Sequence, residues 1–256
     1  MTRITESNPE NPVLATLMTH RSVRSFRAEK LTPDDVAQLV AAAQHAPTST
    51  FSQQFSLISV TDPEKLAVIS QITGHHWAET AGHYFVILVD QFRNQTMVTA
   101  AGASDTVLHS TDKFLAGVLD AAIAAEAMVT AGESMGIGST IMGSILNDAQ
   151  AMIDLLNLPS LTFPILGLAM GYPKEQPELK PRLPQSLVHF TNRYEPLSVQ
   201  EPDFVAYNQL VADYYASRGP NESTQTYVDH MLHEVARDPE ARANLAQVIK
   251  RQGFEL

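Results

Sequence analysis

The stretch YFVILV, residues 84–89, is a continuous run of large apolar side chains between segments typical of turns. A strand with one wet face alternates apolar and polar residues, whereas a strand covered on both faces is apolar throughout. The run therefore predicts a central strand that is buried on both faces. A second strand is predicted at residues 55–60, where FSLISV alternates in polarity.

The predicted strands are separated by helices rather than by short hairpin turns. Thr32 followed by Pro33 is typical of a helix start, with the threonine as N-cap. Pro164 argues against regular central pairing in the strand that contains it. The elements together predict an α/β or α+β layered domain with a helical C-terminal extension. Helices are predicted over residues 11–20, 33–43, 64–72 and 147–156, and further strands over residues 140–143 and 161–170.

Residues 114–129, FLAGVLDAAIAAEAMV, predict a long and nearly apolar helix. Asp120 and Glu126 interrupt it, and the stretches between them are far shorter than the roughly 20 residues of a membrane span. Its many small residues allow close backbone approach, so we expect a buried helix packed against a second subunit. Gly136 and Gly138 follow it, and either end the helix or belong to a functional site.

The remaining segments carry weaker patterns. Residues 91–112 show no clear periodicity and stay unassigned, with a mobile loop as one interpretation. A proline-rich excursion begins at residue 171, and helices are predicted over residues 205–215 and 226–252. We therefore expect a main domain over residues 1–200 and a helical extension over residues 201–256 that belongs to the same structural unit.

Composition restricts the class of protein. With 256 residues and 44% hydrophobic content, the chain suits one large or two smaller globular domains. Its 17 basic and 28 acidic residues give a formal charge of -11, which argues against a nucleic-acid partner. The absence of cysteine excludes disulfides, thiolate nucleophiles and cysteine-ligated metals. Residues 1–12 lack the pattern of a signal peptide, so a cytoplasmic protein without a membrane segment is expected.

Against this acidic background, residues 20–27 form a basic island, HRSVRSFR. An arginine fork matches phosphate oxygens, and serine adds a short donor beside it. The island predicts either a local anion pocket or a solvated loop, and Arg27 is expected to be a surface charge. Two other segments supply similar donors, which favours a phosphorylated cofactor. They are the hydroxyls of Thr48, Ser49 and Thr50, and the cations Lys180 and Arg182.

Several common enzyme classes find no support in the sequence. The glycines at 132, 136, 138 and 143 do not form G-x-G-x-x-G, and there is no Walker A sequence. The pattern G-x-S-x-G occurs once, as GESMG at residues 132–136, but it follows a predicted helix rather than the strand that a nucleophile elbow requires. The histidines at 75–76, 230 and 233 lack a metal-ligand pattern, and those at 230 and 233 are expected to be structural or exposed. We therefore predict no metal and no catalytic nucleophile.

The ordered motifs make the sequence similar to a known family. It resembles the FMN-dependent nitroreductases, in the branch of NADPH-linked flavin reductases and oxygen-insensitive NADPH nitroreductases. The resemblance implies an α+β, three-layer fold: a central mixed, mainly antiparallel sheet flanked by helices, a long buried helix at a dimer interface, and a C-terminal helical extension. It covers nearly the whole chain and rests on HRSVRSF at 20–26, APTSTFSQ at 46–53, ESMGIG at 133–138, MGS at 142–144, GLAMGYP at 167–173, LKPRLP at 179–184 and YYASRG at 214–219.

The resemblance also implies site residues, because several positions match cofactor ligands of the family. Gly143 and Ser144 fall where backbone amides approach the flavin near N5, and His75 falls where relatives often carry glutamine. Arg218 matches an arginine associated with the 2′-phosphate of NADPH. The implied FMN ligands are His20, Arg21, Ser22, Arg24, Thr48, Ser49, Thr50, His75, Gly143, Ser144, Lys180 and Arg182.

The implied activity is that of a homodimeric flavoenzyme whose flavin sites are each built from both chains. It would oxidise NADPH, or NADH, and reduce nitroaromatic, quinone or free-flavin acceptors by a ping-pong mechanism. The C-terminal extension would act as a dimer arm with contacts on the NAD(P)H side. Alternatives are a flavin-fragmenting or dehalogenating relative and a nucleotide-binding module without redox activity. Phe26 and Phe51 are expected in the core, whereas Trp77 either walls the substrate site or packs in the core.

Overall fold

The computed structural model describes residues 11–218, 223–236 and 240–256. Their contacts divide the chain into two compact units, Met1–Pro177 with Glu240–Leu256, and Glu178–Pro239. The last segment of the chain therefore belongs to the first unit. The predicted boundary at residue 200 stays a prediction. The expected lack of a signal peptide concerns residues that, but for the last two, lie outside the described part of the chain.

The first unit is built on a four-stranded sheet of order β1-β2-β4-β3 in which all named pairs are antiparallel. Every residue of β2 except His83 is buried, which confirms the central strand predicted from YFVILV. Apolar clusters cover the sheet on both faces. Within the described residues, the expected mixed character is limited to one isolated parallel bridge, Ser22 to Ser139. The strands are β1 Phe55–Val60, β2 His83–Asp90, β3 Gly138–Met142 and β4 Thr162–Gly171.

Pro164 lies in β4 at a point where the strand pairing is irregular, as predicted from the sequence. The register passes from Ile87 opposite Leu166 to Leu88 opposite Pro164, so Ile165 is bulged out of the pairing. On the other side, β3 pairs only with β4 from residue 167 onward. A proline is tolerated where a bulge and an open edge remove the need for its missing N–H.

The helices begin largely where the sequence places them. At the start of α2, Thr32 and Asp35 form a reciprocal capping box. Residues 91–112, left unassigned from the sequence, contain α5 and a 3-10 turn, Thr106–His109. Helix α5 buries only Asn94, which donates to the backbone oxygen of Ser52, so it has no apolar periodicity to detect. The helices of the first unit are α1 Pro12–Met18, α2 Pro33–Gln44, α3 Pro63–Thr73, α4 Trp77–Thr80, α5 Phe92–Ala100, α6 Thr111–Ser134, α7 Ala149–Leu156 and α10 Leu245–Arg251.

The long helix α6 is buried on one face and exposed on the other. Its small residues face the sheet and α2, whereas Leu115, Leu119 and Ile123 are 52%, 60% and 41% exposed. By length and composition α6 could cross a membrane, but half of its most apolar window is already buried within this chain. Gly136, at φ +76°, ends it in the left-handed conformation that glycine adopts freely. The partner subunit expected on the exposed stripe stays a prediction.

The second unit contains α8 Pro202–Ala216 and α9 Tyr227–Val235. A continuous helix over residues 226–252 is wrong, because a 3-10 turn, Glu240–Arg242, and two turn residues separate α9 from α10. Residues 237–239 lie outside the described chain. They include Pro239, a residue type that interrupts helices by removing a hydrogen-bond donor.

Candidate cofactor site

The basic island is fixed against the edge of the sheet. Ser22 forms a parallel bridge with Ser139 of β3, and the N–H of Val23 donates to the oxygen of Ser139 at 2.8 Å. Four residues later the N–H of Arg27 donates to the oxygen of Tyr172 at 2.9 Å. The island is therefore an additional extended segment beside β3. Its side chains project from a backbone that the sheet holds in place.

Gly138 explains how the island comes so close to the sheet. A Cβ added at Gly138 would lie 2.5 Å from Cγ2 and 2.8 Å from Cβ of Val23. Val23 itself is buried in the main apolar core. Glycine at the first position of β3 is thus a packing requirement for the island. The role expected for Gly136, that of ending the helix, does not extend to Gly138.

His20 is held by an acid that sequence inspection did not identify. Its Nδ1 lies 2.7 Å from Oε1 of Glu133, near the C-terminus of α6, and the N–H of Arg21 donates to the same oxygen at 3.4 Å. Both partners are partly shielded, at 34% and 16% side-chain exposure. Because 113 residues separate the pair, no local spacing could have revealed it.

Arg24 and His75 meet at the only tryptophan. The Arg24 guanidinium lies 5.3 Å from the Trp77 ring centroid, and His75 stacks on the same ring at 3.9 Å with an interplanar angle of 10°. Trp77 also packs against the main apolar core, which is one of the two roles considered for it, while a place in the wall of the substrate site stays a prediction. The structure thus brings together two predicted cofactor ligands that are 51 positions apart in sequence.

Arg21 has different surroundings from Arg24. It lines a cavity of about 620 Å³ together with Thr19, Arg27 and Lys174. Its Nη1 donates to the oxygen of Thr19 at 2.9 Å, whereas its Nε is buried and makes no hydrogen bond within the described residues. A buried guanidinium nitrogen without a partner is a donor available to an anion.

The hydroxyl-rich turn has an unusual backbone. Thr50, Phe51 and Gln53 all have positive φ, at 51°, 59° and 49°. Asp120, 1% exposed in the middle of α6, accepts hydrogen bonds from the N–H of Ser49 at 2.8 Å and from that of Gln54 at 3.0 Å. One buried carboxylate therefore holds both ends of the turn.

Phe51 corrects an expectation from the sequence. It is 82% exposed, so its assignment to the core is wrong, whereas Phe26 is buried as expected. The cause lies in the backbone, because the left-handed conformation at residues 50 and 51 turns the phenyl ring outward. Phe51 and the following residues border a cavity of about 740 Å³ between the turn and α5.

The island and the turn lie far apart within one chain. Glu133, which holds His20, follows Asp120, which holds Ser49, by thirteen residues on the continuous helix α6. A rise of 1.5 Å per residue places these two anchors about 20 Å apart. One copy of the chain therefore presents the two sets of predicted ligands at separate places.

Gly143 opens the 3-10 turn Gly143–Asp148 directly after β3. A Cβ added there would meet nothing within 4 Å, and the φ of Gly143 lies outside the left-handed region. Neither packing nor backbone conformation within the described chain therefore requires glycine here. The open space beside an amide-bearing turn suits a flat ring that approaches the backbone, as FMN would.

The predicted cations of the second unit gather around tyrosines. Arg218 lies 5.7 Å from the Tyr214 ring centroid and 5.9 Å from that of Tyr215, and Lys180 lies 6.0 Å from Tyr215. The Arg182 Nη1 donates to the oxygen of Lys180 at 2.9 Å. These contacts give each cation a defined place within this unit.

Comparison with known proteins agrees with the fold. The nitroreductase family model matches residues 17–172, and the model of that family's C-terminal domain matches residues 180–256. The FMN reductase (NADPH) of Bacillus subtilis is 35% identical over 250 residues, which cover 95% of this chain and 98% of that protein. The oxygen-insensitive NADPH nitroreductase of Salmonella typhimurium is 32% identical over 246 residues, or 95% and 98% of the two chains.

Solved structures give the same result. A nitroreductase of B. subtilis superposes with a TM-score of 0.87 at 35% identity, covering 94% of this chain and 98% of that one. An NADPH:FMN oxidoreductase of Vibrio harveyi, complexed with NAD+, gives 0.83 at 28% identity, covering 95% and 99%. The chain belongs to the nitroreductase family. The resemblance and the fold class inferred from the sequence are confirmed.

Proposed function

We propose that this protein is an FMN-dependent oxidoreductase that uses NADPH to reduce nitroaromatic, quinone or free-flavin acceptors in a ping-pong cycle. Relatives that cover almost the full chain are named NADPH-dependent FMN reductase and nitroreductase. FMN, when bound, supplies the redox chemistry by taking electrons from NADPH and passing them to the acceptor. The protein binds and orients both reactants, and none of its side chains need act as a nucleophile.

The observation that carries the proposal is that the basic island and Gly143 lie at opposite ends of the same strand, β3. The position that a Cβ of residue 143 would occupy is open. The island begins at the first residues of β3, and the Gly143 turn follows its last residue. A five-residue strand spans about 17 Å, which separates a phosphate-binding end from a ring-binding end. His20, Ser22 and Arg24 are the proposed ligands at the first end, and Gly143 and Ser144 at the second.

A second copy of the chain completes the proposed site. Thr48, Ser49 and Thr50 are anchored about 20 Å along α6 from the anchor of the island, so they fit a flavin bound by a partner's island better than their own. The exposed stripe Leu115, Leu119 and Ile123 lies on the same helix and offers an apolar surface for a partner.

The remaining ligands rest on the family resemblance. Lys180 and Arg182 are proposed for the FMN phosphate, together with Arg21, whose buried Nε has a free donor within the described chain. His75 is proposed at the edge of the ring, and Arg218 at the 2′-phosphate of NADPH. A cytoplasmic location is proposed with them.

A visible spectrum tests the proposal directly. Purified protein, supplemented with FMN, should carry bound flavin absorbance that NADPH bleaches in the absence of oxygen. Arg24→Ala should weaken FMN binding about 10- to 100-fold, because a charge-assisted contact is worth about 1.5–3 kcal/mol. Arg251→Ala, which removes an exposed arginine of α10, is the charge-matched control and should bind like wild type. A chain that takes up no flavin contradicts the proposal.

A further inference from the structure

Arg242 contacts the turn that follows β3. It ends the 3-10 turn Glu240–Arg242, which belongs to the first unit although its sequence follows the second. Its Nη2 donates to the oxygen of Gly143 at 3.0 Å. Its Nε and Nη2 also donate to Oδ1 of Asn147, at 3.2 and 2.9 Å. One guanidinium therefore spans both ends of the turn.

The contact with the Gly143 oxygen also fixes the direction of a hydrogen-bond donor, the N–H of Ser144. A peptide group is planar and trans, so the carbonyl of Gly143 and the N–H of Ser144 share one rigid plane and point in opposite directions. Glycine lacks a Cβ, and peptides beside it rotate more readily than others. A guanidinium that holds this carbonyl keeps the Ser144 N–H directed away from Arg242.

The same network reaches the segment that carries His75. Nδ2 of Asn147 donates to the oxygen of Ile72 at 3.3 Å, three residues before His75. Arg242 holds Oδ1 of the same amide group, which fixes its orientation. The C-terminal segment thus restrains both stretches that are proposed to surround the flavin ring.

We propose that Arg242 is a positioning residue that locks the Gly143–Ser144 peptide with the Ser144 N–H facing the cofactor. The inference rests on the proposed function, because it assigns the Ser144 N–H to the flavin. If the peptide rotated, a carbonyl oxygen would stand where the proposed site needs a donor, and the turn would lose an N–H that could stabilise charge developing on a bound flavin. Arg242 itself acts through the backbone and is not expected to contact the reacting atoms.

The first test needs no cofactor. Amide hydrogen exchange of residues 143–148 is measured on the flavin-free protein for wild type, Arg242→Ala and Arg251→Ala. Arg251 is an exposed arginine of α10 in the same C-terminal segment, so its loss changes the charge equally. Exchange should quicken about 10-fold in Arg242→Ala alone, since a lost hydrogen bond shifts local opening by about that factor. Unchanged exchange overturns the lock.

The second test measures the reductive half-reaction with FMN bound. In Arg242→Ala the rate of flavin bleaching at saturating NADPH should fall about 10- to 100-fold, the range typical of orienting residues, with FMN affinity changed less than about 3-fold. Arg242→Lys keeps one donor and should recover part of the rate. An unchanged rate despite faster exchange overturns the proposal, and so does a loss of FMN affinity equal to the loss of rate.

The two tests separate the inference from the proposed function. If wild-type protein binds no FMN, the proposed function and the cofactor-facing role of Ser144 both fail, while exchange still shows whether Arg242 holds the peptide. If Arg242→Ala does not fold, Arg242→Lys replaces it in both tests. A lysine cannot reproduce the contact that one guanidinium makes with both Gly143 and Asn147. Amide exchange in Arg242→Lys should therefore be faster than in wild type and in the Arg251→Ala control, but slower than in a protein that has lost the contact entirely.

Discussion

The basic island and the hydroxyl-rich turn are both proposed to bind the same cofactor, but they are held in different ways. The island is restrained by backbone hydrogen bonds to β3 and to Tyr172, which follows β4, and by the buried Val23. The turn has three residues at positive φ and is held by side chains: Asp120 accepts from the N–H at both of its ends, and Asn94 donates to the oxygen of Ser52. A site segment can thus be held by backbone pairing with a sheet or by side chains that reach it from neighbouring helices.

This difference decides how each region should fail. Weakening one contact of the island leaves the others in place, so the island should lose its structure gradually as contacts are removed. Removing Asp120 leaves the N–H of the buried Gln54 and the partly buried N–H of Ser49 without this acceptor, and an unsatisfied buried donor costs more than a hydrogen bond contributes. The turn should therefore be the more fragile region.

Asp120→Ala is expected to have the largest effect. The change removes the acceptor for Ser49 and Gln54 and leaves a small cavity, so the free energy of unfolding should fall by about 3 kcal/mol. Urea denaturation measures it. Asp112→Ala, at an exposed position in the first turn of the same helix, is the matched control and should cost at most about 1 kcal/mol. Equal losses would show that Asp120 does not hold the turn.

Gly138→Ala should come second. The added methyl would overlap Val23, and overpacking of this kind costs about 1–3 kcal/mol. The free energy of unfolding in urea should fall by about 2 kcal/mol, and FMN affinity should fall with it because the island is displaced. Val23→Ala in the same chain makes room for the methyl, so the double variant should lose less than the two single losses added together.

Gly143→Ala should leave stability intact and reduce cofactor binding. A methyl group there meets nothing within 4 Å, so the free energy of unfolding should change by less than about 0.5 kcal/mol. FMN titration should nevertheless show weaker binding, about 10-fold, if the open space receives the ring. Unchanged FMN affinity would remove the reason given for glycine at this position.

His83 lies outside both the island and the turn, and it gives the stability of the protein a pH dependence of its own. Burial, with Lys30 nearby, holds the pKa of the His83 imidazole below its usual value of 6.5. The unfolded chain then binds a proton more readily than the folded one, so stability falls as the pH drops below 6.5 and is fully present above it. His83→Gln should flatten this part of the curve. An identical pH profile in the two proteins would contradict the shift.

Much of the fold could be predicted from the sequence, because local patterns specify it. The uniform apolar run of β2, the capped start of α2 and the irregular position of Pro164 each follow from a local rule. Helix α5 was not predicted, because the contacts that hold it to the sheet are polar and leave no apolar periodicity. The end of helix α9 was not predicted, because an amphipathic pattern continues past Pro239 in the sequence.

The site was predictable only in part, because charge and hydroxyl groups are visible in a sequence while their supports are not. The island stands out in an acidic chain, but Glu133 and Asp120 act on residues 113 and 71 positions away. Arg242 acts across 99 positions. Phe51 was misplaced because its exposure follows from left-handed backbone at residues that are not glycine. No sequence rule signals such strain.

We propose that two copies of the chain build each flavin site, one giving the island and the other the turn. Two differently tagged chains, Arg24→Glu and Thr50→Glu, are co-expressed, and the mixed dimer is isolated. Each homodimer should lack tightly bound FMN, whereas the mixed dimer should regain about one of its two sites, because one site then combines an intact island with an intact turn. A mixed dimer as empty of FMN as its parents would contradict the account.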